Sequence, residues 1–176
     1  MNENEANEAR LSGWLAQHGA IVRRLSRVYA TDAADRQDLH QEMLIQLWRS
    51  LPSYRGQARD STWIYRVCLN TALTWKRAWQ RRQALVVVSA NASAAPEAVR
   101  ASPAEIQEHS QQLEILLDAM RTLPAGECSL LVLALEGVTH REIGEILGMT
   151  ENHVGVALLR ARRKLSALLM ETNDEL

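Results

Sequence analysis

The sequence predicts an all-α protein of two small helical domains joined by a flexible linker, with a helix-turn-helix in the C-terminal domain. Three observations support this fold class. Apolar residues make up 47% of the 176 residues, Phe is absent, and the Leu- and Ala-rich composition favours helices. Apolar residues recur at helical spacing along most of the chain. This recurrence stops in one stretch rich in Ala, Ser and Pro, and the chain is long enough for two separate cores.

The beginning of the chain predicts two helices separated by a short turn. Apolar residues at helical spacing predict the first helix over 10–29. The turn signal at Thr31 and Asp32 leads to a second helix over 35–50. This helix is expected to end before Pro52, because the residue that precedes a proline disfavours helical torsions. A loop of Ser, Tyr, Arg and Gly follows.

A third helix and a linker come next. The helix is expected over 61–82, with Ser61 or Thr62 as its N-cap. Residues 83–105 then lose the helical period and are rich in Ala, Ser, Asn and Pro, which predicts a linker. A lone strand would have no partner, so we expect the apolar run at 85–88 to pack on a neighbouring domain or a protein partner.

The linker divides the chain into a first domain over 1–82 and a second domain over 106–176. In the second domain the helical period resumes at Ile106, is interrupted at Pro124 and stops again at Gly137. The second domain is therefore expected to be helical as well.

Residues 139–170 carry the most informative local pattern. Thr139 and Glu142 have the spacing of a capping box at the start of a short helix, and Gly148 ends that helix. Thr150 can cap a further helix that runs to about residue 170. Two helices joined by a short turn that contains glycine form a helix-turn-helix.

The second helix of this motif has an apolar face and a face suited to DNA. The apolar face carries Val154, Leu158, Ala161 and Leu165. The opposite face, which a DNA groove would meet, carries Asn152, His153, Val156, Leu159, Arg160 and Arg163. Val156 and Leu159 could contact thymine methyl groups or belong to a protein-binding patch. An ordinary helical hairpin with a solvated basic face is the alternative.

The third predicted helix combines aromatic and basic residues. They are Trp63, Tyr65, Trp75 and Trp79, with Arg66, Lys76, Arg77, Arg81 and Arg82. Aromatic rings stack on bases and cations neutralise phosphates, which are the two contacts that single-stranded DNA requires. The same aromatic residues could instead belong to the core.

The second predicted helix has a polar face with one aliphatic residue in it. This face holds Asp38, Gln41, Glu42 and Arg49 around Ile45. An aliphatic anchor surrounded by charge is typical of a protein-docking surface, and a solvated face is the simpler alternative.

Charge is segregated along the chain, although the formal net charge is only −1. Residues 61–96 contain no acidic side chain, and a second basic cluster lies at 160–164. Acidic residues gather near the N-terminus, at 32–42 and after residue 170. Such segregation suits a protein that meets DNA on some faces and a protein partner on others.

Other features argue against several classes of protein. Cys68 and Cys128 lie in apolar helical patterns without metal-ligand spacing, which predicts buried free thiols. No signal sequence and no apolar run near ~18 residues is found, so we expect a cytoplasmic protein that does not insert into membranes. The histidines are scattered, and no carboxylate pair, nucleophile elbow or phosphate-binding glycine loop occurs, so we expect neither catalysis nor a cofactor or metal.

Taken in order, these segments resemble a known family, the extracytoplasmic-function sigma factors of bacteria. Region 2 of that family resembles Asp38 to Glu42, Leu47-Trp48, Tyr54-Arg55-Gly56, Thr62 to Arg66 and Asn70. Region 4 of that family is similar to residues 123–165, with the best match over 137–150. The ordered series covers residues 11–168.

The resemblance implies a factor that directs promoter-specific transcription initiation. It implies that the β′ clamp helices of core RNA polymerase bind Asp38, Gln41, Glu42 and Ile45. It implies that the minus-ten element is captured and melted by Tyr54, Arg55, Gly56, Trp63, Arg66, Asn70, Lys76 and Arg77. It implies that the minus-thirty-five element is read by Asn152, His153, Val156, Arg160 and Arg163. The polymerase β flap, promoter DNA and an anti-sigma factor are further expected partners.

The chain departs from the family pattern at two places. Asp60-Ser61 stands where members usually carry an aromatic residue followed by Arg, and an acid there would oppose the phosphates of the promoter strand. Gly155, Val156 and Ala157 stand where the recognition helix usually offers Lys, Ser and Arg. These departures predict weak promoter binding or an unusual sequence preference, with region 4 partly given over to a protein partner.

Two other functions remain open. A sigma-like adaptor would bind polymerase or a regulator without initiating transcription. The neutral recognition helix favours the adaptor, whereas the docking face at 38–42 favours a working sigma factor. A plain helix-turn-helix repressor would leave residues 1–82 without a role.

Overall fold

The computed structural model describes residues 2–89 and 104–174, and all regular structure within these ranges is helical. The prediction of an all-α fold is therefore confirmed. The chain divides into two compact units, Met1–Pro96 and Glu97–Leu176. The point of division lies inside the stretch that the sequence predicts to be a linker.

Three long helices form the first unit and pack against one another. They are α1 (Glu3–Tyr29), α2 (Ala33–Ser50) and α3 (Asp60–Ser89), with a short 3-10 helix at Leu51–Ser53 after α2. Their shared core includes Leu25, Leu39, Met43, Leu47 and Leu69. Burying a large aliphatic side chain stabilises the fold by about 1.5–3 kcal/mol, so this core holds the three helices together.

The first two helices begin earlier than their apolar periods indicate, because side chains cap them. The Asn2 side chain accepts a hydrogen bond from the Asn4 backbone N–H at 3.1 Å, and the Asn2 N–H donates to Glu5 at 2.8 Å. This capping box extends α1 seven residues before the predicted start. Asp32 caps α2 by accepting from the Asp35 N–H at 2.8 Å.

The third helix differs from its prediction at both ends. The backbone N–H of Trp63 donates to the Arg59 carbonyl oxygen at 3.0 Å, so neither Ser61 nor Thr62 is the N-cap. The helix also continues to Ser89, through residues that the sequence assigned to the linker. Residues 83–89 contain no Gly or Pro, and extending a helix that has already formed costs little even with valines. The predicted packing of the 85–88 side chains lies outside the described residues.

Four helices form the second unit. They are α4 (Ala104–Thr122), α5 (Ala125–Leu135), α6 (His140–Leu147) and α7 (Glu151–Asp174). Helix α7 packs against the other three. Helix α5 is the central element, because its residues from Cys128 to Leu133 are all buried.

Helix α5 stops where the sequence predicts, at Gly137. This residue has a φ of +72°, a conformation that favours glycine. The N–H of Gly137 donates to the Ala134 carbonyl and the N–H of Val138 donates to the Leu133 carbonyl, both at 3.1 Å. These two bonds satisfy carbonyl groups that the end of the helix would otherwise leave without partners.

Both cysteines are buried free thiols, as predicted. Burial raises the pKa of the Cys68 thiol to about 12, so it stays protonated near neutral pH. Across residues 2–89 and 104–174, no helix combines the length and the hydropathy that a membrane crossing requires.

Candidate protein-docking and nucleic-acid surfaces

The outer face of α2 carries the four residues predicted to bind a protein. At about 100 degrees per residue, Asp38, Gln41, Glu42 and Ile45 fall within a third of the helix circumference. Leu39, Met43 and Leu47 on the inner face are fully buried.

Exposure makes this face suitable for docking. The side chain of Ile45 is 43% exposed, Asp38 and Gln41 are exposed, and Glu42 is half-buried. Gln46 donates a hydrogen bond to Glu42 at 2.7 Å, which holds that carboxylate beside Ile45. An exposed aliphatic side chain within a polar surround is the arrangement of a small interface anchor.

The basic face of α3 forms a continuous stripe. The residues that share it are Trp63, Arg66, Asn70, Arg77 and Arg81. The four polar residues are exposed and Trp63 is half-buried. Lys76 is half-buried and points about 100 degrees away from Arg77, so the fold does not bring it onto this stripe.

Most aromatic residues of α3 lie off the basic stripe. Tyr65 is buried in the core. Trp75 and Trp79 stack at 6.4 Å between ring centroids, and the Trp79 indole N–H donates to Asp35 of α2 at 2.8 Å. Burial, with a contribution from nearby Asp32, raises the pKa of the Asp35 carboxyl group. Trp63 is therefore the aromatic residue of α3 that lies on the basic stripe.

Trp63 belongs to an aromatic cluster with Trp14 and Tyr54. The ring centroids of Trp14 and Tyr54 lie 5.0 Å apart, and each lies 5.2 Å from that of Trp63. The Arg10 guanidinium lies 5.9 Å from the Tyr54 centroid, within the range of a cation–π contact. Sequence reasoning placed Trp14 only in the core of α1 and did not connect it with the loop or with α3.

Asp60 lies at the centre of this cluster. The Trp14 indole N–H donates to one oxygen of its carboxylate at 2.7 Å, and the Tyr54 hydroxyl lies 2.6 Å from the other. Burial and the Asp60 carboxylate raise the pKa of Tyr54 to about 12, so its hydroxyl remains a donor. The Asp60 carboxylate, which was expected to oppose promoter phosphates, instead accepts hydrogen bonds from Trp14 and Tyr54.

The loop between the 3-10 helix and α3 presents its middle to solvent. Arg55, Gly56 and Gln57 are exposed, and Gly56 has a φ of +70°, which lets the chain turn there. The predicted loop residues Arg55 and Gly56 are therefore accessible, whereas Tyr54 is half-buried in the aromatic cluster.

The helix-turn-helix has the caps that the sequence predicts. The Thr139 Oγ1 accepts from the Glu142 N–H at 3.3 Å, and the Thr139 N–H donates to the Glu142 carboxylate at 3.1 Å. Gly148 ends α6 with a φ of +70°. Thr150 caps α7 by accepting from the His153 N–H at 3.3 Å.

A further residue of this motif was missed in the sequence. A Cβ on Gly144 would lie 2.5 Å from the Met149 carbonyl oxygen, so any other residue there would force the backbone of the turn to move. The Met149 N–H donates to the Gly144 carbonyl at 2.9 Å and closes the turn. The available signal was a glycine inside a helix, which costs about 1 kcal/mol relative to Ala unless packing requires it.

Helix α7 presents the predicted outward face. Val154, Leu158 and Ala161 are buried. The exposed residues opposite them are Asn152, His153, Val156, Leu159, Arg160 and Arg163. Val156 and Leu159 are 50% and 52% exposed, so two aliphatic side chains lie among the basic and polar ones.

In the part of the chain that the structure describes, no three His, Cys, Asp or Glu side chains are grouped as metal ligands would be. What the surfaces offer is charge, hydrogen-bond donors and exposed apolar anchors, which are means of binding.

Two family models match the chain. Sigma-70 region 2 matches residues 14–83, and sigma-70 region 4 matches residues 113–165, so the two together cover well over half of the chain. The chain belongs to the sigma-70 family. The family models and the similar proteins together show that the chain is an RNA polymerase sigma factor of the extracytoplasmic-function group.

The curated relatives align with most of this chain. The chain is 29% identical over 153 residues to the ECF RNA polymerase sigma-E factor of Haemophilus influenzae, with 84% of this chain and 78% of the relative covered. It is 25% identical over 168 residues to the RNA polymerase sigma factor CnrH of Cupriavidus metallidurans, with 93% of this chain and 88% of the relative covered.

Two solved structures share its fold. The first is CnrH in complex with the cytosolic domain of CnrY, with a TM-score of 0.68, 20% identity, and coverage of 96% of this chain and 92% of that one. The second is the sigma factor RpoE in complex with the anti-sigma factor NepR from Bartonella quintana, with a TM-score of 0.65, 21% identity, and coverage of 90% and 96%.

Proposed function

We propose that this sigma factor initiates transcription by docking on core RNA polymerase through α2 and by contacting promoter DNA through α3 and α7. Region 2 would correspond to residues 1–82 and region 4 to residues 106–176, with the linker between them. The factor would act in the cytoplasm by binding alone and would contribute no catalytic group. The observation that carries the proposal is the presence of separate docking and basic surfaces within the two matched regions.

The docking surface would be the α2 face of Asp38, Gln41, Glu42 and Ile45. Its acidic residues would pair with basic groups on the β′ clamp helices, and Ile45 would be buried in the contact. The side chain of Ile45 already stands exposed between polar neighbours, so docking requires no rearrangement of the α2 core.

The minus-ten surface would combine the 54–59 loop with the α3 stripe. Arg66, Asn70 and Arg77 are exposed along one face and would follow the phosphates of a single strand. Arg55 and Gly56 would contact the strand from the loop, and Trp63 would support a stacked base from the edge of the stripe. Lys76 lies off this face and would contribute at long range through its charge.

The minus-thirty-five surface would be the outward face of α7. Arg160 and Arg163 would contact phosphates, and Asn152 and His153 would reach base edges in the major groove. Val156 offers no hydrogen bond, so base discrimination by this helix would be modest. Region 2 and the polymerase, including a contact with the β flap, would supply the remaining specificity.

An anti-sigma factor is a further expected partner. The two solved relatives are complexes with CnrY and with the anti-sigma factor NepR. A partner that bridges both units would hide the DNA surfaces, and small-angle scattering should then show a more compact particle for the complex than for the sigma factor alone. Equal compactness in both states would argue against bridging.

A sigma-like adaptor that binds polymerase without initiating transcription is the second candidate, favoured by the apolar Val156 and Leu159 on the recognition helix. Reconstituted core polymerase separates the two functions. DNA fragments selected from a random library by the holoenzyme should support run-off transcription with the factor and none without it. Binding to core polymerase without any transcript from the selected fragments would favour the adaptor.

A further inference from the structure

The carboxylate of Asp60 connects three parts of the first unit. It lies in the first turn of α3 and accepts hydrogen bonds from Trp14 of α1 and from Tyr54 at the start of the loop. Hydrogen bonds to an ionised carboxylate are stronger than those between neutral groups. One side chain therefore connects α1, the start of the loop and α3 by hydrogen bonds.

The loop is closed on itself by the same network. The Tyr54 hydroxyl lies 2.6 Å from the Ala58 carbonyl oxygen as well as 2.6 Å from Asp60, and its single proton is shared between these two acceptors. The residues at both ends of the loop are thus held, while Arg55 and Gln57 between them are exposed. Because both ends of the loop are anchored, the directions of the exposed side chains between them are restricted.

The chemistry of Asp60 is suited to this role. Trp14 is a buried residue, and its indole N–H finds an acceptor within the protein in the Asp60 carboxylate, 2.7 Å away. The negative charge also lies at the N-terminus of α3, where the helix dipole stabilises it. Both effects favour a carboxylate at this position.

We propose that Asp60 is a positioning residue, which holds the 54–59 loop in the conformation that engages the minus-ten strand. This inference rests on the proposed function of region 2. Asp60 acts through Tyr54 and the loop, without contacting DNA.

The test uses the full-length factor bound to core polymerase and two substitutions of Asp60. The measured quantity is the affinity of the holoenzyme for a fluorescent single-stranded oligonucleotide that carries the minus-ten sequence selected by the parent. Asp60→Ala should weaken this affinity about tenfold, because it removes both acceptors. It should also flatten the preference among bases along the oligonucleotide, while the affinity for core polymerase stays unchanged.

Asp60→Asn is the matched control. Its amide oxygen can accept from Trp14 and its NH2 can donate to the Tyr54 oxygen, whose own proton then goes to Ala58. We expect affinity within about threefold of the parent, because the geometry is kept while the charge is lost. Tighter binding by both Asp60 variants would show that the acid is an electrostatic obstacle and would overturn the proposal, as would parent-like affinity of Asp60→Ala.

Tyr54→Phe keeps the ring in the cluster and removes only the hydroxyl. It should weaken oligonucleotide binding, and adding it to Asp60→Ala should cause a smaller loss than adding it to the parent, because the contact between Tyr54 and Asp60 is already broken there. If Asp60→Ala also abolishes binding to core polymerase, Tyr54→Phe becomes the test variant. Parent-like oligonucleotide affinity and base preference of Tyr54→Phe would then overturn the proposal. Failure of the parent holoenzyme to bind any such oligonucleotide would instead contradict the proposed function.

Discussion

A Cβ atom on Gly144 would lie 2.5 Å from the carbonyl oxygen of Met149. Gly144 lies one turn of α6 before Gly148, the glycine that ends the helix. The obstacle is backbone, so a side chain at position 144 can be accommodated only if the turn moves. The approach of α6 to the turn residues therefore sets the geometry of the helix-turn-helix.

Gly144→Ala should destabilise the second unit. Overpacking against backbone costs about 1–3 kcal/mol, and the better helix propensity of alanine returns about 1 kcal/mol at most. We expect a net loss of about 1–2 kcal/mol in the free energy of unfolding measured in urea, with weaker DNA binding. Gly126→Ala in α5 is the matched control, because its Cβ would meet no atom within 4 Å, and it should be neutral or stabilising. Equal stabilities for the two variants would contradict this account of the turn.

Reversing the charge of Asp38 and Glu42 should weaken binding to core polymerase. The double Lys variant reverses two charges beside Ile45, and charge pairs at such a surface contribute mainly to recognition and association rate. We expect about a tenfold or greater loss of affinity, measured by competition for core enzyme, with unchanged helical content by circular dichroism. Glu8→Lys on the exposed beginning of α1 is the control and should bind like the parent. Parent-like binding of the double variant would show that the docking surface lies elsewhere.

Arg163 and Asn152 should affect DNA binding in different ways. Replacing Arg163 by Ala removes a phosphate contact, so affinity should fall alike for all sequences and the salt dependence should become shallower by about one unit of slope. Replacing Asn152 by Ala removes a contact with a base edge and should change the preference at one position, with a difference of about 1–3 kcal/mol. Holoenzyme binding to a panel of minus-thirty-five duplexes over a range of salt measures both. An effect of Arg163→Ala on only some of the sequences would contradict the assignment of Arg163 to a phosphate contact.

The stability of the first unit should fall as the pH drops through the range where histidines titrate. Burial, helped by the nearby Arg23 charge, lowers the pKa of His40 below 6.5. The unfolded chain then binds the proton more readily than the folded chain, so His40 stabilises the fold above its unfolded pKa and loses that contribution as the pH falls. Urea unfolding between pH 7.5 and 5 should show this decrease, and His40→Gln should reduce it. An equal decrease in His40→Gln and in the parent would contradict this assignment.

Local signals in the sequence were sufficient for the helix-turn-helix and for several other helix ends. The capping box of Thr139, the αL glycine at position 148 and the cap at Thr150 all depend on hydrogen bonds between residues that are close in the chain. The same holds for the stop at Gly137. Such contacts can be recognised from spacing alone, because each partner is within about one helical turn of the other.

The resemblance to sigma factors was also correct, since it depended on an ordered series of residues that the family models recognise independently. The helical spacing also predicted two surfaces correctly. One is the outward face of α7, and the other is the shared face of Asp38, Gln41, Glu42 and Ile45. The spacing could have separated Lys76 from Arg77 in the same way, because the angle between neighbours on a helix is fixed.

What the sequence by itself determined is the set of helices, their inner and outer faces and the family. The tertiary structure decided which distant residues meet: Trp14 with Asp60 across 46 positions, Trp79 with Asp35 across 44, and the aromatic cluster around the loop. It also decided that α3 begins at Asp60 and that this acid accepts hydrogen bonds from Trp14 and Tyr54. The physical reason is that a cap or a period is a property of neighbouring residues, whereas the contacts between residues that are distant in the chain depend on how whole helices pack.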